Sequence, residues 1–260
     1  MKVKTYIINL KESIERKTHV TREVSNYTFM NIEWIEAVNG KLLEEITIER
    51  LFDIEKFIHR YQRPPSRGEI GCTLSHRKCY EHLLATDEPH ALILEDDVVF
   101  ICPEDTRFII TQGVRLLKEG KADIIVFVSS SLLYNRPEKI SPKYSAYPVY
   151  TAYGTYAYLI NRKGAEHLLT LRADAVADDF PAIKKKGLII KSIQPYIAVE
   201  NGKMKSLIEE ERIENTNLHT KNTVIPRIKL YSEILYLWIA IKCKYIINQN
   251  LYRQTIKKIY

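Results

Sequence analysis

Several features that would settle a protein's class are missing from this chain of 260 residues. Its four cysteines, Cys72, Cys79, Cys102 and Cys243, have neither the paired spacing of a zinc site nor the density of a small disulfide framework. Reduced thiols in a cytosolic protein are the simplest account. There is no signal-peptide core: the first apolar stretch, residues 6–10, is short and interrupted by Asn9. The longest uncharged apolar run near the C-terminus, residues 234–241, falls far short of the roughly 20 residues that span a bilayer. No repeat or low-complexity segment stands out. Nor does the body of the chain carry much net charge. The total is +7, and residues 224–260 alone hold seven basic residues against one acidic residue, Glu233. Nucleic acid is therefore not an expected partner, because no basic footprint covers the whole protein.

What the chain does have is the composition of an ordinary globular protein, 45% hydrophobic and 27% charged. It is long enough for one large domain or two small ones. The stretch that organises it is ALILEDDVVF, residues 91–100. A short continuous apolar run predicts a strand buried on both faces, as in a parallel sheet. Glu95, Asp96 and Asp97 follow at its carboxyl end, and burying three adjacent carboxylates unpaired is costly. A cationic partner is expected there, either a divalent metal with oxygen ligands or lysine and arginine around an acidic turn.

Further strands are predicted over 4–10, 32–38, 123–128, 155–160, 188–192 and 196–199. Helical patterns lie between them over 11–25, 41–60, 69–86, 106–120 and 162–172, with another after Asp178 and Asp179. This alternation predicts an α/β fold with a mainly parallel sheet. Residues 129–150, with three prolines and four tyrosines, read as a long surface loop. The expected division is a domain over 1–222 and a basic amphipathic segment over 223–260. Tyr231, Leu235, Trp238 and Ile239 among lysines suit a helix lying on a membrane surface; packing of 234–241 on the domain is the alternative.

Six separated stretches occur in an order that carries a resemblance: YIINLKESIERK (6–17), EAVNG (36–40), GEIGCTLSHRKCYEHLL (68–84), LILEDDV (92–98), YGTYAYLINRKGAEHLL (153–169) and IQPYIAVENGKMKSLI (193–208). Together they resemble glycosyltransferase family 25, the bacterial lipooligosaccharide galactosyltransferases and their relatives. The resemblance implies a GT-A type, Rossmann-like domain that binds a nucleotide sugar beyond the carboxyl ends of its strands. It implies a Mn²⁺ or Mg²⁺ ion held by Asp97 and Glu95, with Asp96 binding directly, through water, or at the ribose. Asn9 and the backbone at Leu10 would meet the base, Arg16 would face the diphosphate or solvent, and Ala37, Val38 and Asn39 would close the pocket. Glu69 and Gly71 open a helix whose amides favour phosphate. Ser75 and His76 would touch the nucleotide sugar or orient the acidic motif, and Tyr153, Gly154 and Thr155 would line the donor sugar.

For transfer with inversion, Asp178 is the expected general base and Asp179 its alternative, with helix capping as the competing role for either. Glu200, Lys203, Ser206 and His219 are candidate late contacts. The implied partners are a UDP-hexose donor, UDP-galactose ahead of UDP-glucose, and a lipid-linked oligosaccharide acceptor. The implied location is cytoplasmic, peripheral on the inner face of the inner membrane through the C-terminal segment. From other classes, a metal-dependent phosphoesterase and a non-catalytic carbohydrate-binding protein are the rivals.

Overall fold

The computed structural model describes residues 1–202 and 227–248. The strands are β1 (Val3–Asn9), β2 (Met30–Glu36), β3 (His90–Glu95), β4 (Val98–Phe100), β5 (Ile124–Val126), β6 (Ser130–Tyr134), β7 (Glu138–Lys139), β8 (Ser145–Tyr153), β9 (Ala157–Asn161), β10 (Ile190–Gln194), β11 (Ala198–Glu200) and β12 (Ile246–Asn248). The helices are α1 (Ile14–Val24), α2 (Glu45–Leu51), α3 (Ile54–Tyr61), α4 (Arg67–Leu84), α5 (Pro103–Lys118), α6 (Arg162–Leu169), α7 (Phe180–Lys185) and α8 (Arg227–Lys242).

A ten-stranded sheet runs β12-β6-β8-β10-β5-β9-β3-β1-β2, with β7 attached to β8. β1 pairs in parallel with β2 and β3, and β5 with β10. β9 lies antiparallel between β3 and β5. Five of the six central strands therefore share one direction, and only β9 opposes them. This is the α/β, Rossmann-like arrangement expected of a GT-A type domain. The apolar runs of β1, β3 and β5 are buried on both faces, as their unbroken hydrophobicity requires.

Helices α4 and α6 pack on each other and reach β3 and β9 respectively, and α5 lies against β5 and β9. Most of the buried apolar residues form one cluster around β1, β3, β5 and β9. A satellite cluster of Ile48, Phe52, Phe57, Ile70, Leu74 and Ala173 ties α2 and α3 to α4.

The strand expected before the carboxylates is β3, which ends at Glu95; the chain then turns at Asp96 and Asp97, and β4 leaves the main sheet to pair with β11. The turn lets the carboxylates leave a ladder that is otherwise buried on both faces. Residues 129–150 are not a surface loop, since β6, β7 and the first part of β8 are built from them, and Leu133, Tyr144, Ala146 and Val149 are fully buried. The prolines concealed this. Pro148 faces Lys191 of β10, while pairing with β6 begins at Val149, so it sits where β8 changes neighbours.

Within the expected segment 223–260, β12 hydrogen-bonds to β6 and so extends the main sheet. Lys203, Ser206 and His219, and the chain beyond residue 248, lie outside the described residues.

Candidate active site

The carboxyl ends of β1, β2 and β3 open onto a cavity of about 290 Å³. Ile8, Asn9 and Leu10 enter it from β1, Ala37 to Lys41 from the end of β2, and Glu95, Asp96 and Asp97 from β3. Helix α4 contributes Gly68, Cys72, Ser75 and His76, whose i, i+4, i+7, i+8 spacing is one helical face. Arg16 and Glu200 complete the acidic side.

The cation that the acidic strand end demands is present within the chain. Arg16, at the start of α1, places Nη2 2.6 Å from both Asp96 Oδ1 and Asp97 Oδ2, and its Nε donates to Asp96 Oδ1 at 2.7 Å. Arg16 is therefore not a free solvated side chain: it clamps the turn while lining the cavity. Asn9 Nδ2 donates to Asp96 Oδ2 at 2.7 Å and to the Ser13 carbonyl at 3.3 Å, so its amide nitrogen is already engaged. The Leu10 carbonyl accepts from the Ser13 N–H. Both oxygens of Asp96 thus hold protein donors.

Asp97 differs from its neighbour. Its Oδ1 is buried without a hydrogen-bond partner among the described residues. Burial, helped by Glu95, Asp96 and Glu200 and opposed by Arg16, pushes its carboxyl up to about 7. One guanidinium among four carboxylates leaves the site short of positive charge.

Glu95 is more firmly held. Thr155 Oγ1 donates to Glu95 Oε1, and His76 Nε2 lies 3.3 Å from the same oxygen. Burial works against ionisation of Glu95, yet His76, Thr155 and Arg16 together keep its carboxyl below the usual range. Behind His76, Nδ1 lies 2.9 Å from the Tyr158 hydroxyl, which is 3.0 Å from that of Tyr80. Ser75 Oγ accepts from the Val38 N–H at 2.8 Å and donates to the Gly71 carbonyl at 2.7 Å, fixing the end of β2 to α4.

Other expected residues stand off the cavity. Glu69 forms a capping box with Ser66 and a bidentate pair with Arg63 at 2.6 and 2.7 Å, so its carboxylate starts the helix. Gly71 serves packing: a Cβ there would lie 2.5 Å from the Val38 carbonyl oxygen and 2.7 Å from Gly40 N. Asp179 is the N-cap of α7, accepting from the Ala182 N–H at 2.9 Å and from the Tyr61 hydroxyl at 2.6 Å. Asp178 keeps a different contact, accepting the Gly154 N–H on Oδ2 at 3.1 Å. Gly154 has φ +91°, a conformation L side chains rarely adopt. Burial pushes the Cys72 and Cys79 thiols well up, so neither is a poised nucleophile.

The lining also includes Glu12, Ser13 and Lys41, which sequence reasoning missed. Lys41 directly follows the EAVNG stretch, and that adjacency was the available signal. Among the described residues, no three His, Cys, Asp or Glu side chains form a ready metal cluster. The orphaned Asp97 oxygen within an acidic, oxygen-rich turn nevertheless suits a hard divalent cation.

The sequence pattern described as glycosyltransferase family 25 (LPS biosynthesis protein) matches residues 2–181. A glycosyltransferase 25 family member of Aedes aegypti is 30% identical over 170 residues, covering 63% of this chain and 27% of that protein. Procollagen galactosyltransferase 2 of Homo sapiens is 27% identical over 172 residues, with 63% and 27% covered. A Haemophilus influenzae protein, whose name assigns it provisionally to the glycosyltransferases, is 23% identical over 247 residues, with 86% and 82% covered. The chain thus spans about a quarter of the insect and human relatives' length, and most of the bacterial one.

Proposed function

The chain belongs to glycosyltransferase family 25, and from that membership we propose a metal-dependent, inverting hexosyltransferase that uses a UDP-sugar. The observation that carries this reading is the acidic turn at the mouth of the cavity, where the buried Asp97 Oδ1 has no partner among the described residues. Asp97 would hold Mn²⁺ or Mg²⁺, with Glu95 beside it. Such an ion supplies charge neutralisation for the departing diphosphate.

The chain's own residues have separate tasks in this reading. Arg16 and Asn9 hold Asp96 and so keep the turn in shape. The 37–41 segment and the cavity-lining face of α4 enclose the nucleotide. Asp178 accepts the proton of the acceptor hydroxyl as that oxygen attacks the anomeric carbon; the new glycosidic bond forms while the bond to the diphosphate breaks, and UDP leaves with the electron pair. Asp179 is engaged as a helix cap, which favours Asp178 for this role.

The galactosyltransferase relatives favour UDP-galactose as donor, with UDP-glucose the near rival, and the family's description, which names LPS biosynthesis, favours a lipopolysaccharide or lipooligosaccharide acceptor. A lipid-linked acceptor places the enzyme on the cytoplasmic face of the inner membrane. No helix among the described residues is long and apolar enough to cross a membrane. Leu235, Tyr236, Trp238 and Ile239 of α8 are nevertheless exposed, and Lys242 Nζ sits 3.9 Å from the Trp238 ring centre. Such a face supports surface attachment.

Incubation with UDP-galactose and Mn²⁺ should release UDP, and Asp97→Ala should reduce turnover by about 100-fold or more. Full turnover by Asp97→Ala would overturn the metal assignment. An absence of UDP-sugar binding at millimolar donor would overturn the transferase reading.

A further inference from the structure

Three consecutive residues, Gly154, Thr155 and Tyr156, connect two parts of the site that the sequence keeps far apart. The Gly154 N–H donates to Asp178 Oδ2 at 3.1 Å. Thr155, buried to 6% exposure, donates its hydroxyl to Glu95 Oε1. The Tyr156 carbonyl accepts the Glu95 N–H at 3.1 Å. The turn is itself held: the Tyr156 hydroxyl accepts the Ser129 N–H at 2.7 Å. A Cβ on Gly154 would fall 2.7 Å from the Tyr156 ring, so only glycine fits there without displacement. The same Glu95 oxygen lies 3.3 Å from His76 Nε2, and His76 is fixed in turn by Tyr158 and Tyr80.

We propose that the Gly154–Thr155 turn is a bridge that sets the distance between Asp178 and the acidic strand end, with Thr155 as its positioning residue. The inference rests on the reading of Asp178 as the base and of the acidic turn as the donor clamp. Thr155 touches neither reacting group; it acts by fixing the Glu95 carboxylate. A carboxylate free to rotate would leave the donor bound but shifted with respect to Asp178. Small misplacements of this kind reduce the rate of the bond-making step more than they weaken ground-state binding.

The test is steady-state UDP release from UDP-galactose with Mn²⁺, together with UDP binding measured by calorimetry and thermal melting of each variant. Thr155→Val keeps the shape and removes the hydroxyl. It should lower kcat about 10–100-fold while leaving UDP affinity and melting temperature near those of the wild type. Thr155→Ser, which restores the hydroxyl, should recover most of the rate. If Thr155→Val did not fold, Thr155→Ala would take its place. Wild-type kcat in the hydroxyl-free variant would overturn the bridge, as would equal slowing in Thr155→Ser, which would assign the effect to packing of the methyl group. Asp178→Asn separates the two levels. If it is inactive while Thr155→Val is fully active, only the bridge falls. If it turns over normally, the base assignment falls and the bridge with it.

Discussion

Asp96 and Asp97 are chemically identical neighbours whose surroundings give them different work. Asp96 is satisfied by Arg16 and Asn9, whereas Asp97 shares one arm of Arg16 and leaves the other oxygen bare. A carboxyl raised to about 7 in the folded chain binds its proton more tightly there than in the unfolded chain. Its contribution to stability is therefore full below the unfolded value of about 3.9 and is lost as pH rises through about 7. Without divalent ions, the denaturation midpoint of the wild type should fall more between about pH 5 and about pH 8 than that of Asp97→Asn. Added Mn²⁺ should raise the melting temperature more at the higher pH, because only the deprotonated group is a ligand. An equal Mn²⁺ shift at both pH values would count against Asp97. The need for a cation was legible in EDD itself, since buried carboxylates demand one. That part of the answer is Arg16 was not, because Arg16 lies 80 residues from Asp96 and nothing local signals the pairing.

At the scale of elements, α4 carries the most site residues and was the most legible helix. Its Ser66–Glu69 capping box and the 68, 72, 75, 76 face are both local patterns. The same locality serves two readings at Glu69 and Gly71, since a motif read for ligand contact is equally a motif for starting and packing a helix. Ordinarily Gly→Ala within a helix adds about 1 kcal/mol of stability. At Gly71 the new Cβ meets backbone atoms of Val38 and Gly40 rather than a flexible side chain, and overpacking costs typically 1–3 kcal/mol. The steric term should win. Gly71→Ala is expected to lower the melting temperature and to weaken UDP binding, because the displaced 38–40 segment lines the cavity. A more stable Gly71→Ala protein would show that this loop yields freely. Strand β8 was illegible for the reverse reason: its core-forming role depends on β10 and β6 as neighbours, and Pro148 and the tyrosines do not mark it locally.

Over the whole molecule, α8 and β12 join the tail to the sheet while leaving an aromatic and aliphatic face outward. Truncation would remove a strand, so the membrane reading is better tested by substitution on that face. Leu235→Glu with Trp238→Glu should abolish flotation with anionic liposomes while preserving UDP release from soluble donor. Flotation equal to the wild type would remove α8 from any membrane role. The alternation of strands and helices made the α/β architecture readable from sequence, but the reversal of β9 and the pairing of β4 with β11 were not, since both depend on partners distant in the chain.

That distance also sets an order of events during synthesis. The β1, β2 and β3 block can pair once about the first 95 residues are available, by local and parallel contacts. The acidic turn at its end then still lacks Thr155, and β4 lacks β11, whose Glu200 stands opposite Val98. The donor side of the site is therefore closed last, when the chain through residue 200 has been made, and until then the three carboxylates rely on Arg16, Asn9 and His76.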